Sequence, residues 1–344
     1  MPLFGSVVNS DAGGALGFKN LLINGNFDVW QRATTYTASN IASYQTADRW
    51  YMSSNGGVNV TYSQQALGFD QNGKSNSIRV QRAAGSSGRF YLTQLMETTV
   101  LNRCRGKSVT LSYWAKRGSD MGATDMVVRF GTQTSETSRD DSKIQYLDST
   151  PSLTTSWQKF SHTLTLTSTS DSASGFLVEF IAERAGGTNV WYEIAQVQLE
   201  LGSVATPFEF RPFGMEFSLC QRYFEISTPY GTFPSNGADS TSLSATSFCL
   251  ATFVPWGSTN ASRPVIRFAV QKRVNPSMGQ WGNNSGLLLY LGSGAGGLSS
   301  DNTLTSNANM GLNAVDATMF CLNNQATGDT IFGLGGAWSA SAEL

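Results

Sequence analysis

His162 is the only histidine in the chain, and it falls in the alternating stretch SHTLTLTS, where a strand would carry it. Hydrolysis through a Ser-His-Asp or Cys-His arrangement would have to use it. No GxSxG elbow or other nucleophile signature accompanies it. It is expected to face solvent or to be satisfied within a sheet. Glycoside hydrolysis can run on carboxylates alone, and three sets are candidates: Asp120 with Asp125, Glu136 with Asp140 and Asp141, and Glu179 with Glu183. The first two sets lie in polar, loop-like sequence, and acids four apart on a strand read as ordinary surface. A catalytic acid needs burial to raise its pKa, so no enzymatic site is expected.

Aromatic side chains are the better lead. Sugar rings pack their CH faces on Trp and Tyr while amides and charged groups meet the hydroxyls. The N-terminal half offers Trp50, Tyr51, Tyr62, Tyr91, Trp114, Trp191 and Tyr192, and the C-terminal half offers Tyr230, Trp256, Trp281 and Tyr290. Most must be core, and alternation places Trp114 and Trp191 inward. Trp281, in GQWGNNSG, has no periodic apolar neighbours and is predicted to sit in an exposed loop. With Asn283, Asn284, Trp256 and Tyr230 it forms the predicted glycan-binding set. Packing of Trp281 against a loop or an intersubunit seam is the alternative.

These residues need a scaffold of short strands. β-like runs occur at Val58–Tyr62, Ser77–Gln81, Arg89–Gln94, Ser108–Ala115, Met126–Phe130, Gln158–Leu166, Gly175–Ala182 and Val190–Leu199, separated by clusters of Gly, Ser and Asn. That pattern predicts an all-β protein whose first domain is an antiparallel jelly-roll sandwich. A run without Gly or Pro, Met215–Glu225, spaces Phe217, Cys220 and Phe224 at helical intervals, predicting one short helix that serves as hinge and oligomer contact. Beyond it, runs at Thr246–Phe253, Val265–Gln271, Leu287–Leu291, Ala317–Leu322 and Gly335–Ser341 predict a second, smaller β-domain. The expected organisation is an arm over 1–19, a jelly roll over 20–212, a connecting helix over 213–228 and a C-terminal β-domain over 229–344.

Composition narrows the partners. At 344 residues the chain suits two domains, and only 14% of residues are charged, with a net charge of -1. The polar positions are filled by Ser, Thr, Asn and Gly, so no basic footprint for nucleic acid and no electrostatic membrane anchor is present. No apolar run approaches the roughly 20 residues that span a bilayer, and no Sec signal opens the chain, so membrane insertion is not expected. Cys104, Cys220, Cys249 and Cys321 are far apart and lack a CxxC pair, which predicts buried free thiols. No cofactor is expected.

Several stretches add a resemblance. NLLINGNFDVWQR at 20–32, ADRW at 47–50, LELGSVATPFEFRPFGMEFSLCQRYFE at 199–225 and a C-terminal Trp followed by Ala-Glu-Leu together resemble bacteriophage tail-fibre and receptor-binding proteins. The first domain also resembles carbohydrate-binding-module-like jelly rolls, whose opening NGNF turn sits close to the last strand. Such modules often hold calcium through a carboxylate on that strand. Gln196 and Gln198 stand there instead, so no metal is expected. The resemblance implies a virion component made in the host cytoplasm, a homotrimer attached to other virion proteins through the N-terminal arm, its C-terminal domain binding a host-surface glycan. A capsid or collar decoration protein and a glycan depolymerase are the alternatives.

Overall fold

The structure is a computed structural model that describes residues 18–67, 75–84, 88–139, 143–167, 171–183, 190–231, 265–281, 288–291, 311–315, 319–323, 331–335 and 337–343. The chain divides into two compact units: Met1–Val29 with Thr34–Glu216 and Leu344, and Trp30–Ala33 with Phe217–Glu343.

In the first unit the described strands are β1 (Thr35–Ser39), β2 (Ala42–Ser43), β3 (Tyr51–Ser54), β4 (Asn59–Ala66), β5 (Asn76–Arg82), β6 (Arg89–Met96), β7 (Ser108–Arg117), β8 (Met126–Gln133), β9 (Lys143–Ser149), β10 (Gln158–Thr165), β11 (Gly175–Glu183) and β12 (Trp191–Leu201). They form two antiparallel six-stranded sheets, sheet I in the order β1-β4-β5-β12-β7-β10 and sheet II in the order β2-β3-β6-β11-β8-β9. The chain crosses repeatedly between them, which makes the all-β sandwich expected from the alternation. The core is aromatic. Tyr113 of sheet I meets Phe180 of sheet II edge to face at 5.1 Å, and Phe90 stacks on Tyr192 at 5.8 Å. Two tyrosines of sheet I reach through the core with satisfied hydroxyls. Tyr192 donates to the Phe180 carbonyl at 3.1 Å, and Tyr62 lies 2.9 Å from the Ser53 and Tyr91 carbonyls.

Sequence parity misplaces two side chains. Trp114 and Trp191 are half-buried on the outer face of sheet I, while Tyr113, Ala115, Tyr192 and Ile194 fill the core. The cause is a β-bulge in β12, whose register against β7 shifts between Ala195 and Gln198, with Gln196 at φ 48°. Before the bulge the even positions point inward. After it Leu199 does, opposite Leu111. The apolar Val197 and Leu199 therefore share the sequence parity of Trp191 but not its face.

The NGNF turn does lie against the last strand. Leu21 N donates to the Leu199 carbonyl at 2.7 Å and Val197 N to the Gly25 carbonyl at 2.8 Å. A short helix that the sequence reading missed, α1 (Thr98–Cys104), has its first-turn amide satisfied by Glu136, which accepts from Thr98 N and Oγ1 at 2.7 Å. The predicted hinge helix is α2 (Phe213–Gln221), shorter than expected; Phe224 opens the strand β13 (Phe224–Ile226) and so lies outside the helical stripe with Phe217 and Cys220.

The second unit has described strands β14 (Val265–Arg267), β15 (Ser277–Trp281), β16 (Leu288–Leu291), β17 (Gly311–Val315), β18 (Met319–Asn323), β19 (Ile331–Gly335) and β20 (Ala337–Ser341). β20 is central between β13 and β15, so the C-terminal tryptophan motif is core: Trp338 is buried against Phe268. The predicted strand Thr246–Phe253 lies outside the described residues. The segment Trp30–Ala33 is built into this unit. Gln31 Nε2 donates to the Phe224 carbonyl at 2.8 Å, and Arg32 lies over the Phe224 ring at 3.5 Å while pairing with Glu343 at 3.2 Å. Glu225 and Lys272 form a buried ion pair beside it.

Candidate functional site

The outer face of sheet II combines aromatic rings with a buried charge. Strand alternation sends Phe176, Val178 and Phe180 of β11 into the core and leaves Leu177, Glu179 and Ile181 on the opposite side. Glu179 is nevertheless 0% exposed. The sequence reads it as an ordinary surface acid, but the Thr93, Arg129 and Arg139 side chains gather around it. Its register partners are Thr93 of β6 and Arg129 of β8, and Asp148 of β9 continues the row. Thr93 Oγ1 donates to Glu179 Oε1 at 3.0 Å, and Arg139, from the β8–β9 connection, donates to the same oxygen. Glu179 Oε2 has no hydrogen-bond donor among the described residues; its nearest ion-pair contact is Arg129 Nη1 at 3.9 Å.

Aromatic rings surround this carboxylate. The Arg139 guanidinium lies 4.0 Å over the Tyr91 ring, and Arg129 is 5.6 Å from the ring of the exposed Tyr146. Tyr51 opposes Thr93 on β3 and meets Tyr44 edge-on at 5.2 Å. Burial raises the Tyr51 pKa, against the nearby Arg139 charge, so its hydroxyl stays protonated and able to donate. The central row carries two guanidiniums, Arg129 and Arg139, against two carboxylates, Glu179 and Asp148. That row is therefore polar, hydrogen-bonding and neutral. Such a row can bind a neutral polyhydroxylated ligand: rings for its CH surfaces, guanidiniums as donors, and the exposed Asp148 carboxylate as an acceptor.

Of the predicted glycan set, Trp281 is the last residue of β15, opposite Ala337, and so lies in a strand and not in the loop expected for it. Asn283, Asn284 and Trp256 lie outside the described residues. Tyr230 is exposed, but its hydroxyl accepts from Trp30 N at 2.8 Å and its ring meets Phe217 edge-on at 5.6 Å. The structure does not bring Tyr230 and Trp281 into a described common site. Tyr51, Tyr91 and Glu179 were visible as candidates in the sequence; Tyr44, Tyr146, Arg129 and Arg139 were not. Arg139 reaches Glu179 from a connecting segment 40 residues upstream, which no strand periodicity reports.

The other candidates have structural roles. His162 accepts from or donates to Tyr113 Oη at 3.0 Å, and burial lowers its pKa. Asp125 accepts the Gly122 amide at 2.6 Å, and Glu136 holds α1; Asp140 and Asp141 lie outside the described residues. Gln198 Nε2 donates to Glu200 Oε1 and its Oε1 accepts from Glu209 N, both at 2.8 Å.

The chain matches no protein-family model and no curated protein. Solved structures similar to it include the CBM22-1 xylan-binding domain from Paenibacillus barcinonensis Xyn10C (15% identity, TM-score 0.30, covering 51% of this chain and 99% of that one). TmCBM61 in complex with β-1,4-galactotriose aligns at 10% identity and TM-score 0.29, over 54% of this chain and 100% of that one. A cyclase from Fischerella sp. TAU aligns at 12% identity and TM-score 0.35, over 54% and 99%. Likeness at this level says nothing of ligand or activity. The class is defined by the chain's own topology: an antiparallel β-sandwich with a polar aromatic outer face, joined to a second β-unit.

Proposed function

We propose that the first unit binds a neutral glycan on the outer face of sheet II. The observation that carries this reading is Glu179: a fully buried carboxylate with one oxygen lacking a donor, set among tyrosine rings and guanidiniums. A buried acceptor without a partner costs about 1–3 kcal/mol, and because Oε2 is covered in the free protein, a sugar hydroxyl would supply the missing bond once the Arg129 or Arg139 side chain swings aside. Tyr51 and the exposed Tyr146 provide ring surfaces on either side, while the Tyr91 ring supports Arg139 from below. No step of catalysis is assigned; Asp148 and Glu179 are both engaged by arginines.

The sequence resemblance supports a finer reading, in which this binding serves attachment of a bacteriophage fibre to its host and the chain works as a homotrimer. The test is a glycan array probed with the full chain and with Glu179→Gln, which keeps the shape and removes the charge. Binding to neutral oligosaccharides that falls at least about tenfold in the variant is expected, since losing a charged hydrogen bond costs about 1.5–3 kcal/mol. Binding unchanged in Glu179→Gln would place the ligand elsewhere, and no binding to any neutral glycan would reject the reading.

A further inference from the structure

The opposite outer face, on sheet I, carries a different chemistry. One row across it reads Arg79, Glu193, Lys116, on β5, β12 and β7. Trp157, immediately before β10, lies beside its end; the neighbouring row places Trp114 opposite Lys159, and Trp191 lies two residues from Glu193. All three indoles are half-buried, because each strand's alternate residues take the core.

Charge is unevenly spread here. Glu193 is only 1% exposed and serves two cations at once: Arg79 Nε donates to it at 2.7 Å and Lys116 Nζ pairs with it at 3.0 Å. Lys159 is exposed on the same face. Three cations against two carboxylates, Glu193 and, opposite Thr110, Glu200, leave one positive charge on a face otherwise made largely of Thr, Ser and Gln, in a chain whose net charge is -1. The cations are also held in place by rings. Arg79 lies 4.2 Å over Trp191, and Lys116 is 4.9 Å from the Trp157 centroid and 5.7 Å from that of Trp191. A ligand carboxylate would meet cations whose ordering entropy is already spent.

We propose that this face is a second binding surface, for an acidic saccharide that presents hexuronate carboxylates. The carboxylate pairs with Lys116, Lys159 or Arg79, and the CH face of the ring packs against Trp114 or Trp157. A hexuronate offers both features on one unit, which a simple anion or a neutral sugar does not. The proposal stands independently of the reading of sheet II.

Affinity electrophoresis of the full chain in gels cast with polygalacturonate or hyaluronan tests it, with dextran as the neutral control. Retardation by at least one polyuronate, weakening as salt rises, is expected. Trp157→Ala and Lys159→Gln should each reduce the apparent affinity about tenfold, the effect of losing about 1.4 kcal/mol, while Glu179→Gln leaves it unchanged. Near-ultraviolet circular dichroism checks that the variants keep their packing, and Lys159→Gln, at an exposed edge-strand position, tests the face even where Trp157→Ala does not fold. Absence of retardation by both polyuronates overturns the proposal. So does retardation unaffected by Lys159→Gln, or abolished equally by Glu179→Gln.

Discussion

Trp50 Nε1 donates to the Asn24 carbonyl at 3.0 Å, tying the ADRW stretch to the NGNF stretch inside the first unit. The Asn24 side chain completes the knot, donating to the Val29 and Asp48 carbonyls at 2.8 and 3.0 Å and accepting from Val29 N at 3.0 Å. Phe27 packs on Trp50 at 5.1 Å. The two motifs that mark the sequence thus hold each other in place within the fold.

Removing either partner should cost stability without touching recognition directly. Trp50→Ala is expected to lower the unfolding free energy by about 3–5 kcal/mol, the usual range for a buried large aromatic. Asn24→Ala should cost at least about 2 kcal/mol, because it strands several buried backbone groups. Asn24 also sits at φ 56°, which Ala tolerates less well than Asn. Urea titration of each variant measures the change, and a loss under about 1 kcal/mol in both would show that the knot is dispensable.

Gly25 is required for close approach. A Cβ there would lie 2.1 Å from the Val197 carbonyl oxygen, which is backbone and cannot swing aside. Gly25→Ala should therefore push the NGNF turn off β12 and weaken the Val197 amide bond, at a cost of about 1–3 kcal/mol. Hydrogen exchange at Val197 and Leu199 should accelerate selectively. Unchanged protection there would contradict the packing.

Much of the sandwich was legible because its strands alternate and its turns are polar; eight predicted runs each fall on a strand of the first unit. The faces were harder to read. In SYWA and VWYE a Trp and a Tyr stand side by side, so hydrophobicity alone does not say which points inward. Lys116 and Glu193 held the available signal, since they share parity with Trp114 and Trp191 and mark that side as outer. The bulge at Gln196 hid it by putting Val197 and Leu199 on the same parity but the opposite face. Glu179 misled for another reason: its burial comes from Arg139 and other side chains arriving from elsewhere in the sequence, which local pattern does not contain.

Cys104 and Cys220 are buried free thiols, as their isolated positions suggested, while Cys249 lies outside the described residues. Burial pushes the Cys104 pKa up to about 11, against the lowering effect of Arg103 and Lys107. At pH 8 only about one molecule in a thousand would then carry the thiolate, compared with about a quarter in an unfolded chain. Iodoacetamide at pH 8 should leave Cys104 unmodified in the native protein and alkylate it in urea, as read by mass spectrometry of the peptide. Fast native labelling would mean that the site opens far more readily than its packing implies.

His162 gives the fold a pH dependence of predictable sign. Its ring stacks on Tyr113 at 5.8 Å, with Nε2 3.0 Å from the Tyr113 hydroxyl, and burial lowers its pKa below the unfolded value of about 6.5. Burial disfavours the imidazolium, so between the folded and unfolded pKa values the unfolded chain binds more protons than the native state. Stability should therefore rise with pH across that window and level off above about 6.5, with the His162 contribution lost on the acid side. Carboxylates elsewhere add their own acid dependence, so the informative quantity is the difference between wild type and His162→Gln. Urea midpoints at pH 5 and pH 8 should fall further on acidification for wild type than for the variant, with the m-value unchanged. Equal shifts in the two proteins would show that the ring is protonated as easily in the fold as out of it, and that its contact with Tyr113 does not discriminate between the two charge states.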